Sequence, residues 1–200
     1  MPAFPKFRWF ALGWLAVWFP AYWHTWGFEN FFLLCDLAVF VAVWGLWTGR
    51  PLLLSSQAVS MLFVGVLWVA DLVSYGIFGW HIFGGTAYFW DPQYPLWVRL
   101  LSLYHIGLPV AMVWGLGHTG YDARGWQLQS ALALIVTFAS RLGSPEKNLN
   151  FAFREPLFNQ QWGPAPVHLL IVSSLLIALI YFPTHLLLSR WLPPCPARQS

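Results

Sequence analysis

A cysteine and an aspartate stand side by side inside an apolar run, Phe31-Phe32-Leu33-Leu34-Cys35-Asp36-Leu37-Ala38-Val39-Phe40. A second isolated polar group, His105, follows Ser102-Leu103-Tyr104 in another apolar stretch. A thiol becomes a nucleophile when a neighbouring imidazole or positive charge favours its thiolate. Together, Cys35 and His105 would carry out acyl transfer. The sulfur attacks an ester carbonyl, a thioester forms, and the imidazole hands a proton to the departing alcohol. The esters nearest to such segments are those of lipids. Taken singly, a buried cysteine is by default a small hydrophobe, and a histidine in an apolar helix bonds a neighbouring helix as readily as it catalyses.

A carboxylate in an apolar run costs about 3 kcal/mol on insertion scales, so Asp36 should have a buried partner or a task. It lies about 100° round a helix from Cys35, and the two cannot aim at one atom from one face. Asp36 is therefore expected to orient an imidazole or to pair with a cation, with Arg99 and Arg141 as candidates. Asn148 and Asn150 follow Ser144-Pro145-Glu146. Their amides suit a lipid headgroup or an oxyanion, or else the capping of a loop. Asp71 reads as a further supporting group or as a solvated span end, and Gln57 and Ser60 as bonds across helices.

These groups need elements to position them. Of 200 residues, 58% are hydrophobic and only 8% charged, against about 25% charged in a soluble domain. That balance specifies an integral membrane protein, all-α, folded as one transmembrane domain over residues 1–200. About six stretches are apolar enough to be read as spans. They run from Phe7 to Tyr22, Glu29 to Trp47, Leu52 to Asp71, Trp97 to Leu116, Trp126 to Leu142 and Val167 to Leu188. The first is expected to stay, because bulky Trp and Phe fill it and no small-residue cleavage site closes it. Trp23, Trp26, Trp47, Tyr88, Trp90, Trp97, Trp126 and Trp162 gather near span ends, as interfacial aromatic belts do; a pigment-binding box is the alternative.

The distribution of Lys and Arg favours cytoplasmic termini. Whichever way the chain inserts, Cys35, His105, Asp71, His168 and the Gly143 to Asn150 loop collect in one leaflet. A polar pocket is therefore expected there, built from the second to fifth spans and that loop. The segment from Ser74 to Pro95, with Gly84-Gly85 and Asp91-Pro92 as breakers, reads as an interfacial or re-entrant cap over it. Cys195 lies past the last span on the other side, which leaves Cys35 a free thiol. The net charge of +3 is scattered, so no basic run is available to neutralise the phosphates of a nucleic acid.

Leu34-Cys35-Asp36, Ser102-Leu103-Tyr104-His105 with Gly107, Gly120-Tyr121-Asp122, Asn148-Leu149-Asn150-Phe151 and Gly163-Pro164-Ala165-Pro166 form a sparse pattern over most of the chain. This pattern resembles the YwaF-like integral membrane proteins of bacteria and their vertebrate relative, a cysteine-dependent phospholipid acyltransferase. It is also similar to uncharacterised bacterial membrane proteins with a His-Gly-Leu-Pro helix and a Pro-Glu-Lys-Asn-Leu-Asn loop. The first resemblance implies that Cys35 and His105 are the catalytic pair and that Asn150 is the family's loop asparagine. The chain departs from the pattern where Phe31-Phe32-Leu33 stands in place of a preceding histidine, and where Ala165 replaces an aromatic residue.

The expectation is thus an acyltransferase or lipid hydrolase in a bacterial inner membrane, with membrane lipids as partners and no cofactor. The alternative is a non-catalytic subunit of a respiratory or photosynthetic assembly, with partner membrane subunits against its aromatic surface. A metal site built on His105 and His168 is a further rival, although no His-x-x-x-His pair exists among the six histidines. Retinal attachment is excluded, since Lys6 and Lys147 both fall outside the spans.

Overall fold

The computed structural model describes residues 4–196, all helical and turn, with no strand among them. Helix α1 (Phe7–Trp26) is followed by a tight 3-10 turn (Phe28–Phe32), α2 (Leu34–Thr48) and α3 (Pro51–Phe78). A looped segment holds the short α4 (Ala87–Trp90) and α5 (Leu96–Leu101), leading to α6 (Tyr104–Thr119) and α7 (Gly125–Ser140). After a second 3-10 turn (Leu149–Phe151), α8 (Ala165–Leu176) runs through one π turn (Ile177–Tyr181) into α9 (Phe182–Trp191).

Three helical stretches are long and apolar enough to cross a membrane: Pro51–Phe78 of 28 residues, Leu96–Thr119 of 24 and Ala165–Trp191 of 27. Helix α2 is apolar but shorter. Its start differs from the sequence reading, which began the second span at Glu29. Gly27, at φ 81°, ends α1, and the next five residues wind as a 3-10 turn. Cys35 and Asp36 therefore occupy the first turn of α2 instead of lying well inside it. The last stretch is interrupted by a π turn. Pro183 has no N–H and crowds the carbonyl four residues back, and the wider π turn just ahead of it absorbs the mismatch.

Helix α3 is central and packs on α2, α6 and α7. Its approach to α6 depends on Gly65, where an added Cβ would lie 2.5 Å from the carbonyl oxygen of His105 and 2.9 Å from Pro109. Its approach to α7 depends on Gly125, where a Cβ would lie 2.6 Å from that of Ser55. A buried polar chain then joins the two helices. Gln57 donates to Ser56 (2.9 Å) and to Gln129 (3.2 Å), and Gln129 donates to Ser60 (3.1 Å) and to the Tyr181 hydroxyl (3.3 Å). The expected cross-helix bonding of Gln57 and Ser60 is present. On the other flank, fully buried Trp18 of α1 packs against Tyr22, Phe31, Phe40 and Tyr104 with ring centroids 4.5 to 5.8 Å apart.

Candidate active site

The first turn of α2 is fixed by the loop that follows α7. Asn150 accepts from the backbone N–H of Leu34 (2.9 Å) and donates to the carbonyl of Phe32 (2.7 Å) and the hydroxyl of Ser140 (2.8 Å). One side chain thus caps α2 and ties it to α7. It can do so because the chain turns left-handed there, with φ 45° at Asn148, 50° at Asn150 and 59° at Phe151; asparagine tolerates that region better than other side chains. Asn148 closes the same loop, accepting from the N–H of Phe153 (2.9 Å) and Arg154 (3.0 Å) and donating to the Arg154 carbonyl (2.7 Å). Both amides are committed, Asn148 to backbone and Asn150 to backbone and the Ser140 hydroxyl, which is the capping alternative raised from the sequence.

Asp36 is 1% exposed. Its partners are Asn30, which donates to one carboxylate oxygen, and Tyr104, whose hydroxyl donates to the other at 2.6 Å. The expected cation is not there. Arg99 donates to the carbonyl of Phe89, and Arg141 to the carbonyl of Ala152 and to Gln161 while lying over the ring of Phe153. Neutral donors satisfy the carboxylate with less desolvation than a buried guanidinium would cost. The Asp36–Tyr104 bond joins α2 to α6 at the residues adjacent to Cys35 and His105.

His105 is 5% exposed and lies flat between Trp68 (4.8 Å, 4°) and Tyr104 (4.1 Å, 28°). Its Nδ1 meets the carbonyl of Ser102 at 2.9 Å. A carbonyl only accepts, so Nδ1 carries the proton and Nε2 is left as the basic nitrogen. Nε2 has no hydrogen-bond partner among the described residues. Cys35 is half-buried and a free thiol. No hydrogen bond links it to His105, but both line one cavity of about 820 Å³, within the range of about 300–1,000 Å³ typical of ligand pockets.

The polar part of that cavity wall is Cys35, Asp36, Ser60, Tyr88, Tyr104 and His105 on one side and Asn30 with Lys147, Asn148, Asn150 and Glu155 of the loop on another, and the remainder is mainly aromatic and aliphatic. Burial pushes the Tyr88 phenol well above its usual range, so it stays a neutral hydroxyl; it accepts from Trp68 Nε1 at 3.3 Å. Helix α7 contributes nothing to the lining, whereas α8 and the π turn do. Helix α8 and the π turn thus take the place expected for the stretch from Trp126 to Leu142, because the buried polar groups of α7, among them Gln129 and Ser140, are turned to α3 and to the Asn150 loop.

Asp71 lies elsewhere. It is buried, not solvated, and gathers the N–H groups of Phe83 (2.7 Å), Gly84 (3.2 Å) and Thr86 (3.0 Å), the Thr86 hydroxyl and His81 (3.1 Å). It therefore shapes the loop before α4, and it does not line the cavity. His168 accepts from the N–H of Trp162 at 3.1 Å and donates to the carbonyl of Phe151 at 3.0 Å, which commits both ring nitrogens. No three His, Cys, Asp or Glu side chains converge as metal ligands among the described residues. Asn30, Tyr104 and Trp68 are the site residues that sequence reasoning passed over. The only signal for Tyr104 was its place beside His105, and nothing local set Trp68 apart from the other aromatic residues of the chain.

No family model matches the chain, and neither a curated protein nor a solved structure matches it.

Proposed function

We propose that this is a multi-pass membrane acyltransferase or lipid hydrolase in which Cys35 attacks a lipid ester with His105 as base and acid. The observation that carries the reading is that Cys35 and His105, brought by α2 and α6, line one largely apolar cavity in which the basic nitrogen of His105 is unengaged. The Asp36–Tyr104 bond supports it by locking the two helices beside the reacting groups. So does the backbone N–H of Cys35, which makes no hydrogen bond among the described residues and points from a helix N-terminus, where an oxyanion is stabilised.

In the forward half, Cys35 Sγ bonds to the ester carbonyl carbon while its proton passes to His105 Nε2. The ester C–O bond then breaks, and the same proton goes to the departing alcohol. In the second half, water or another alcohol attacks the thioester, loses its proton to Nε2, and releases the acyl group as the thiol reforms. Asn150 acts as a positioning residue through α2, and the six-span arrangement, with α1, α2 and α7 as the additional spans, places this chemistry within the bilayer.

The test is labelling of the detergent-purified protein with a thiol-directed acyl probe, comparing wild type with Cys35→Ser and His105→Ala. The reading requires label on Cys35 that is lost in Cys35→Ser and falls sharply in His105→Ala. Equal labelling of all three overturns it and returns attention to a packing subunit that tolerates both replacements.

A further inference from the structure

We propose that the site draws its substrate sideways from the bilayer, the acyl chain of a glycerolipid entering across the Val172, Leu175, Leu176 and Leu179 stripe of α8 and the π turn. This rests on the function proposed above, and three observations lead to it.

First, the four residues recur at the spacing of one helical face, and all of them line the cavity. Leu175 is nonetheless 42% exposed and Leu179 66% exposed. A side chain that faces the cavity and the surrounding medium at once marks a place where the cavity reaches the outside of the bundle.

Second, the wall is two-sided. The polar groups Cys35, Asp36, Tyr104 and His105 come from α2 and α6, with Asn148, Asn150 and Glu155 of the loop beside them, whereas α8 supplies aliphatic side chains. An occupant that matches both has an ester at one edge and a hydrocarbon chain along the other, as a glycerolipid does.

Third, the loop beside the first turn of α2 is tied down. Asn150 holds Phe32 and Leu34, Lys147 donates to the carbonyl of Trp26 at 3.1 Å, and His168 bridges Trp162 and Phe151. Phe151 and Leu157 of that loop also line the cavity while 45% and 71% exposed, so the cavity reaches the outside there too, but widening that mouth for a lipid breaks several hydrogen bonds at once, each worth about 0.5–1.5 kcal/mol net. The aliphatic stripe has no side-chain hydrogen bond for a passing chain to break.

The experiment uses the full chain in proteoliposomes of phosphatidylcholine carrying a diazirine near the end of one acyl chain. Cys35→Ala is the background, so that the readout does not depend on chemistry at the thiol. Photolysis should place adducts on the stripe and on the cavity residues Met61 or Trp68. Leu175→Trp and Leu179→Trp, which add bulk at exposed positions, should reduce the inner adducts by at least about tenfold, equivalent to about 1.4 kcal/mol. Adducts confined to outward side chains such as Ile77 and Leu186, with none on Met61 or Trp68, overturn the proposal. So do inner adducts that the two tryptophan variants leave unchanged, since the chain then arrives by another path. If inner adducts form as expected while Cys35 takes no acyl label, the portal stands and the catalytic reading fails.

Discussion

Asp36 shows how a buried acid changes meaning between sequence and structure. Its position in an apolar run said that it must be paired, and it is paired, but to Tyr104 and Asn30 instead of to an arginine. A carboxylate that accepts from two neutral donors leaves both unsatisfied when it is removed. Asp36→Ala is therefore expected to cost about 2–4 kcal/mol. Tyr104→Phe alone should cost about 1–2 kcal/mol. The double variant should lose at least about 1 kcal/mol less than the sum, the signature of groups that act on each other. Denaturant unfolding in mixed micelles reads the cycle. Strict additivity would mean that the Asp36–Tyr104 bond does not hold α2 to α6. The sequence could not name these partners, because contacts between positions 36 and 104 depend on helix packing and not on local spacing.

The loop between α7 and α8 is expected to set the geometry of α2. Asn150→Ala removes three hydrogen bonds and leaves a non-glycine residue without its side-chain support at φ 50°. A loss of about 2–3 kcal/mol is expected, together with slower acyl labelling of Cys35. Asn150→Gly, which relieves the backbone strain alone, should recover only part of the stability and none of the labelling rate. Full recovery of labelling by glycine would show that Asn150 serves the loop and not α2.

The same loop contains a titrating anchor in Glu155. Burial opposes its charge, but the N–H groups of Phe158, Leu157 and Gln160 outweigh this and hold the carboxyl below its usual range. Its stabilising contribution is thus complete above the unfolded value of about 4.3 and is lost as pH falls through the lower folded value. Hydrogen exchange at Leu157, Phe158 and Gln160 should accelerate below about pH 4, and Glu155→Gln should flatten that dependence. A wild-type profile unchanged by acid would contradict the assignment. Asp122, held low by its hydrogen bonds to Arg124 at the far end of α6, should lose its contribution in the same direction and over the same acidic interval.

For the bundle as a unit, composition and the spacing of apolar runs were enough to read an all-helical chain, and three of the six stretches read as spans correspond to helices long and apolar enough to cross a membrane. Boundaries were less legible. Nothing local distinguishes a span that begins at Glu29 from one that begins at Leu34, whereas the structure puts Gly27 and a 3-10 turn between α1 and α2. Membership of the cavity was also hidden. Nothing in the sequence of the last span set Val172 and Leu179 apart, and only the fold brings that face of α8 and the π turn to the site. The convergence of Cys35 and His105 on one cavity was readable, because an alternation of helices brings the two positions to the same end.

Incubating proteoliposomes of the wild-type protein with a single defined phosphatidylcholine, and following lysolipid and Cys35-bound acyl group by mass spectrometry, bears most directly on this account. Lysolipid should accumulate with wild type and not with Cys35→Ser, and the trapped acyl adduct should map to Cys35 and be released by hydroxylamine. If lysolipid forms equally with Cys35→Ser, or if neither lysolipid nor adduct appears with well-folded wild-type protein across a panel of glycerolipids, Cys35 is not a nucleophile toward lipid esters.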